Sequence, residues 1–293
     1  MRKPSTPRLA IASYAKRPTL RPDDRLFAEA VAASGMEPVP VVWDDEGIEW
    51  DALDACVLRS VSDYYLKHDA FLEWTSRIGG SMPFWNLPAL TIWNTDKTHL
   101  RSLAERGVPI IPTQWLERGE EVRLTALLDS HDWKDAVVKP TVGVGAKELF
   151  RVGGAPDADQ RALDCLLERH GVMVQPFLPS VEKQGETSLV FIDSEFTHAV
   201  RKLPKVGDFR VQGNWGGTSV PCEASPEDLE MARLVLDCLD VEPLFARVDF
   251  VAGPLGNPCL IELELVEPIL FFAENPPAAQ RLAKAIWRRL RSS

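Results

Sequence analysis

Two short apolar runs near the carboxyl end carry charges that a plain buried strand would not tolerate. They are Ala246-Arg-Val-Asp-Phe250 and Leu260-Ile-Glu-Leu-Glu264. Strand alternation puts Arg247 and Asp249 on one face, and Glu262 and Glu264 on one face. Carboxylates two residues apart repel each other and lose hydration when buried. A divalent cation removes that conflict, and oxygen ligands around such cations are how Mg²⁺ meets nucleotide phosphates. The competing reading places these acids on the solvent side of an edge strand.

Cationic and apolar partners for a nucleotide occur upstream. Val137-Val-Lys-Pro-Thr-Val-Gly-Val-Gly145 sets Lys139 at a strand end, directly before a glycine loop. Glycines let backbone N–H groups approach phosphate oxygens, and a lysine there is a point charge for a phosphate. The loop lacks the GxxxxGK[ST] order of a Walker A motif and the GxGxxG of a dinucleotide fingerprint. Taken alone it also fits an ordinary hairpin, and Lys97, in the first turn of the preceding helical segment, fits a solvated lysine. Val174-Gln-Pro-Phe-Leu178 is an apolar strand running into a loop. Amides beside Phe177 and Leu178 could bond an adenine edge, and Glu186 could accept from ribose hydroxyls. The plain alternative is a hinge between strands plus a surface acid.

The elements that must position these residues follow from periodicity. Strands are expected at residues 9–13, 39–43 and 55–59, with a helix at 23–34 built on Leu26, Phe27, Ala30 and Val31 and stopped by Gly35. That order suggests an α/β layer with parallel pairing and a ligand-facing edge at the strand carboxyl ends. Tyr14, Arg59, Ser60 and Asp63 sit at or just past such ends, either facing a substrate or serving as loop polarity. The spacing predicts a helix over 94–106, capped by Asn94 or Thr95 and ended by Gly107. Strands at 136–140 and 149–152 flank the glycine loop. A helix at 157–170 and strands at 172–175, 187–192 and 196–202 follow. A helix at 226–239, strands at 245–251 and 259–265, and a closing helix at 276–291 complete the order.

Composition narrows the function classes. The 293 residues are 45% hydrophobic and 26% charged, an ordinary globular balance. A net charge of −10 argues against broad nucleic-acid binding, and the tryptophans read as core and domain-contact residues. The 5 cysteines form no CxxC, so reduced thiols in a cytoplasm are expected rather than a disulfide framework or zinc site. His68, His99, His131, His170 and His198 show no metal spacing. The basic start up to Arg8 meets an apolar run too short for a signal-peptide core, and no stretch is long enough to span a membrane.

In order, these pieces resemble the ATP-grasp superfamily. The matching segments are Asn94-Thr-Asp-Lys97, Val138-Lys-Pro-Thr-Val-Gly-Val-Gly145, Val174-Gln-Pro-Phe-Leu-Pro179, Gly185-Glu186, Arg247-Val-Asp249 and Ile261-Glu-Leu-Glu264. The resemblance covers residues 86–275. It implies an α/β (α+β) ATP-grasp fold with an N-terminal α/β pre-ATP-grasp domain at 1–95. A small subdomain with the glycine loop would span 96–178, and a subdomain carrying the metal site 179–293. It implies ATP and two Mg²⁺ ions, with Mn²⁺ as a substitute. Lys97 and Lys139 would bind phosphates, Gln175, Phe177 and Leu178 would lie at the adenine, and Glu186 would hold the ribose. Asp249, Glu262 and Glu264 would be metal ligands, Glu264 standing where many members have Asn.

Arg247 would face the transferred phosphoryl group and the acceptor carboxylate, Arg210 would face the acyl phosphate, and Lys202 would be a third cation of the site. Asn214 and Gly216 lie on the loop expected to close over substrate. The chain also resembles a narrower group over residues 9–275, the ATP-grasp cyclo-ligases of cycloserine biosynthesis. Val42-Trp-Asp-Asp45, Leu58-Arg-Ser60, Trp93-Asn-Thr-Asp-Lys97 and Glu262-Leu-Glu-Leu-Val-Glu-Pro268 carry that resemblance. The 60–63 segment departs from it by lacking an expected aromatic.

The implied activity is ATP-dependent carboxylate–amine ligation through an acyl phosphate, on a small carboxylate or amine substrate. Ring closure of O-ureido-D-serine, in antibiotic biosynthesis, is the narrower expectation. An intermolecular amino-acid or dipeptide ligase, a non-catalytic ATP-binding module and a phosphotransferase are the alternatives. A homodimer is expected from family habit alone.

Overall fold

The computed structural model describes residues 6–292, so the first part of the basic N-terminal stretch lies outside the described residues. The chain opens with β1 (Arg8–Ser13), α1 (Pro22–Ala33), β2 (Glu37–Val42), β3 (Ala55–Leu58), α2 (His68–Ser81) and β4 (Phe84–Trp85). These strands form a parallel sheet in the order β2-β1-β3-β4. Helix α1 begins with Pro22 and carries Asp23 and Asp24 in its first turn, where the free N–H groups favour negative charge.

Next come α3 (Pro88–Asn94), α4 (His99–Glu105), β5 (Gln114–Leu116), α5 (Leu124–Ser130), β6 (Ala136–Pro140), β7 (Phe150–Val152), α6 (Pro156–Leu167) and β8 (Val172–Pro176). Their strands make an antiparallel sheet ordered β5-β8-β6-β7. The glycine loop is the β6–β7 connection. The expected helix over 94–106 is broken. Residues 95–98 form a turn, because the Asp96 carboxylate accepts the Thr98 N–H at 2.9 Å and the Lys97 N–H leaves for Thr141 O at 2.9 Å.

The last part contains α7 (Pro179–Gln184), β9 (Glu186–Ile192), β10 (Glu195–Leu203), β11 (Thr218–Cys222), α8 (Pro226–Asp237), β12 (Phe245–Ala252), β13 (Pro258–Glu264) and α9 (Pro276–Ser292). The antiparallel sheet order is β11-β10-β9-β12-β13. Central β9 is buried along its whole length, its apolar end at 189–192 in the core and its polar end at 186–188 beside the charged patch of β12 and β10. Pro221 fits β11 because that strand is an edge. Helix α8 starts with a reciprocal Ser225–Asp228 capping box.

One apolar cluster joins Leu9, Ile11, Phe27 and Val31 to Phe245, Leu270, Phe272, Leu282 and Ile286. The N-terminal and C-terminal sheets are therefore fixed against each other through α1 and α9. No helix among the described residues is long and apolar enough to cross a membrane.

Candidate active site

Strands β12 and β13 pair antiparallel, with Asp249 opposite Glu262 and Arg247 opposite Glu264. This register brings the two charged patterns onto one patch. Carboxylate oxygens of Asp249, Glu262 and Glu264 all lie within 4.8 Å of one another. The pairing shifts register after Asp249, where Glu262 is followed by a pairing to Leu260; the skipped Ile261 lines the neighbouring apolar slot.

Cations surround the patch. Asp249, fully buried, accepts from Lys202 Nζ at 2.7 Å and from Arg247 Nε and a terminal nitrogen at 2.9 Å. Arg247 also pairs with Glu264 and donates to Ile269 O. Lys202 reaches Glu186 at 2.7 Å, so one ammonium bridges the expected ribose acid and an expected metal ligand. Lys97 Nζ donates to Gly143 O at 2.7 Å and lies 3.4 Å from Glu262.

Protonation follows from these partners. Burial would raise the Asp249 carboxyl, but Arg247 and Lys202 hold it well below the usual range. Glu262 is likewise pulled down, against burial, by Lys97 and Lys139. Glu264 is pushed up to about 8 by burial, with Arg247 opposing and Glu262 and Asp249 adding to the rise. Lys139 is lowered to about 8 by burial, with Glu262 opposing and Lys97 reinforcing the fall.

Two asparagines hold the strand ends in place. Asn94 donates to Leu263 O at 2.8 Å and accepts from Leu265 N–H at 2.7 Å, gripping the backbone on both sides of Glu264. Asn86 donates to Phe245 O and Leu265 O and accepts from Leu244 N–H. The sequence suggested Asn94 as a helix cap and gave no signal for Asn86, because their partners lie about 160–180 residues away in the chain.

The apolar slot beside the patch is lined by Val137, Gln175, Phe177, Leu178 and Ile261, with Lys139 and Glu186 at its polar side. Gln175 donates to Thr113 Oγ1 at 2.8 Å. The Phe177 amide is taken by Asp135 O at 3.1 Å, whereas the Leu178 amide has no backbone acceptor among the described residues. Glu186 follows Gly185, whose φ of +73° and close approach to Lys202 O exclude a side chain.

Arg210 also lines this slot. Asp208 holds it through two contacts at 2.9 and 2.7 Å, and it stacks 3.6 Å above the Trp215 ring. Trp215 donates to Gly145 O at 3.0 Å, so the Arg210 loop meets the glycine loop. Asn214 and Gly216 are exposed on the same loop.

The structure does not bring Arg59 and Ser60 to the cleft. Arg59 and Ser60 are fully buried and turn toward Asp24 of α1; Arg59 also donates to Pro268 O at 2.8 Å. A guanidinium inside an apolar core needs such a partner. Asp63 accepts from Trp43 Nε1 at 2.8 Å, and Tyr14 packs half-buried against the N-terminal core.

The chain is similar to known proteins over most of its length. Residues 110–264 match the model of the prokaryotic glutathione synthetase ATP-grasp domain, and residues 9–86 match the N-terminal domain of the D-cycloserine synthetase DcsG. The cycloserine biosynthesis protein DcsG of Streptomyces lavendulae is 30% identical over 281 residues, which span 90% of this chain and 92% of that protein. The crystal structure of D-cycloserine synthetase DcsG matches with a TM-score of 0.88 at 28% identity, covering 97% of this chain and 99% of that one. D-alanine–D-alanine ligase from Bacillus anthracis shares the fold at a TM-score of 0.71 and 13% identity, over 98% of each chain. The class is thus an ATP-grasp ligase that forms carbon–nitrogen bonds. The chain belongs to the ATP-grasp family and, within it, to the family that includes DcsG.

Proposed function

We propose that the protein activates the carboxylate of a small amino-acid-like substrate with ATP and joins it to an amine of the same molecule, closing a ring. The observation that carries this reading is the patch of Asp249, Glu262 and Glu264 ringed by Lys97, Lys139, Lys202 and Arg247, beside an apolar slot that fits an adenine.

A carboxylate is a poor electrophile, because its charge repels nucleophiles and oxide is a poor leaving group. One carboxylate oxygen attacks the γ-phosphorus, the bond to the β-bridging oxygen breaks, and ADP leaves. The amine nitrogen then attacks the acyl carbon. The tetrahedral oxyanion collapses with loss of phosphate, and the nitrogen gives up a proton. Positioning and charge stabilisation are the protein's share.

Lys97 and Lys139 bind the phosphates, Glu186 the ribose, and the slot at Phe177 and Leu178 the base. Arg247 lies against the metal patch, where it meets the transferred phosphoryl group. The buried oxygen donors of Asp249, Glu262 and Glu264 fit a hard cation. They would hold two Mg²⁺ ions, which supply charge neutralisation at the phosphates. An acyl phosphate must be shielded from water. The contact of Trp215 with the glycine loop, and the tight turn at Gly217, where a Cβ would stand 2.0 Å from Val211 O, support a closing role for the Arg210 loop.

ADP release with Mg²⁺ and ATP tests the reading across O-ureido-D-serine, its L-form and pooled amino acids. ADP with O-ureido-D-serine alone, and a cyclic product by mass, is expected. ADP only with paired amino acids replaces ring closure by intermolecular ligation. No ADP with any of them overturns the reading.

A further inference from the structure

Glu267 lies just past β13 and is only 9% exposed. Both contacts of its side chain use one oxygen: Ser62 donates to Oε2, and Arg21 approaches Oε2 at 3.6 Å. Oε1 accepts no hydrogen bond among the described residues, and it is not one of the enclosed unpaired atoms. Oε1 is thus at least partly accessible, and Glu267 lines a cleft together with Tyr64, Lys97, Glu262 and Glu264. The Tyr64 hydroxyl is in the same condition: it has no partner among the described residues and is not sealed in. Its ring is fixed by stacking on Phe71 at 5.0 Å. Burial and the facing Glu267, Glu262 and Glu264 keep that hydroxyl protonated.

We propose that Glu267 Oε1, with the Tyr64 hydroxyl, is the subsite for the ammonium group of the substrate. The inference rests on the ligase reading above and names the group that orients its substrate. A nearly buried carboxylate oxygen without a donor loses solvation that a cationic donor restores. Ring closure uses the carboxylate and the aminooxy-derived nitrogen, which leaves the α-ammonium as a group to hold. Glu267 does not belong to the convergent carboxylate patch, so it is free of the metal role proposed for that patch.

The backbone here is held independently of the Glu267 charge. Arg21 donates to Glu267 O at 3.1 Å, and Arg59 donates to Pro268 O at 2.8 Å. The N-terminal sheet and α1 thus position the subsite, and Glu267→Gln leaves those bonds in place.

The test is calorimetric binding to the full chain with Mg²⁺ and ADP. The probes are O-ureido-D-serine and 3-(ureidooxy)propanoic acid, which has hydrogen in place of the amino group. The wild type should favour the amino compound by about ten- to a hundredfold, the range of a charge-assisted hydrogen bond. Glu267→Gln should remove most of that preference, bind the des-amino compound as the wild type does, and keep its ADP affinity. Tyr64→Phe should reduce the preference in part. Equal wild-type affinities for the two probes, or equal weakening of both in Glu267→Gln, overturn the subsite. If the preference holds but the wild type releases no ADP with O-ureido-D-serine, the ligase reading fails and the subsite stands.

Discussion

Lys202→Met removes an ammonium that lies 2.7 Å from both Asp249 and Glu186. Methionine keeps most of the stem and its packing. Burial favours the neutral amine, but Asp249 and Glu186 outweigh it and hold the Lys202 pKa above its ordinary value. The site therefore loses a full positive charge at neutral pH. Removing one partner of a buried ion pair costs about 3–5 kcal/mol. Arg247 still neutralises Asp249, whereas Glu186 has no second cation in hydrogen-bond contact among the described residues, so the lower end applies. At about 2–4 °C per kcal/mol for large domains, a cost of about 3 kcal/mol lowers the Tm by about 6–12 °C. Melting followed by circular dichroism without divalent cations reads this directly. Added Mg²⁺ should raise the variant's Tm by more than the wild type's, because Lys202 no longer competes for Asp249. A cation-free Tm within about 2 °C of the wild type would refute the reasoning.

Three further perturbations probe other parts of the site. Glu262→Gln should lower ADP release by about 10²–10³-fold while the circular-dichroism spectrum is retained; wild-type turnover would remove Glu262 from the metal site. His99 is lowered to about 4 by burial, with its Nδ1–H donating to Asp96 O at 2.8 Å. The folded state thus binds fewer protons than the unfolded one between pH 4 and 6.5, and stability falls as pH drops through that window. From pH 7.5 to 5 the loss from this group is about 2 kcal/mol, read by urea denaturation as a difference in pH slope between wild type and His99→Gln. Gly185→Ala should cost at least about 1–3 kcal/mol from backbone strain, and a Cβ there would stand 2.0 Å from Lys202 O. A urea midpoint equal to the wild type's would contradict the close approach of β10 to Gly185.

Much of the candidate site's geometry was legible because the residue types conflict with their setting. Acids within apolar strands at 249, 262 and 264 signalled convergence, and antiparallel pairing of β12 with β13 supplies it. Lys139 before the glycine loop was visible for the same reason. The break after Asn94 was not, since helix periodicity in 94–106 is good and the turn depends on Lys97 reaching Thr141. Helix α2 repeats Phe71, Trp74 and Ile78 toward the core, but Gly79 and Gly80 weaken its helical pattern. Arg59 and Ser60 looked like substrate residues because strand ends in parallel sheets face ligands. Their true partner, Asp24, lies on a helix 35 residues earlier, and nothing local encodes that direction. Glu267 was visible only as part of a motif, because its free oxygen is a property of the packed cleft.

The most direct test of the account is transfer of oxygen from substrate to phosphate. A carboxylate labelled with ¹⁸O, supplied with Mg²⁺ and ATP, should deliver one label to inorganic phosphate for each ADP formed. Phosphate without label, or AMP and pyrophosphate in place of ADP, would contradict activation through an acyl phosphate.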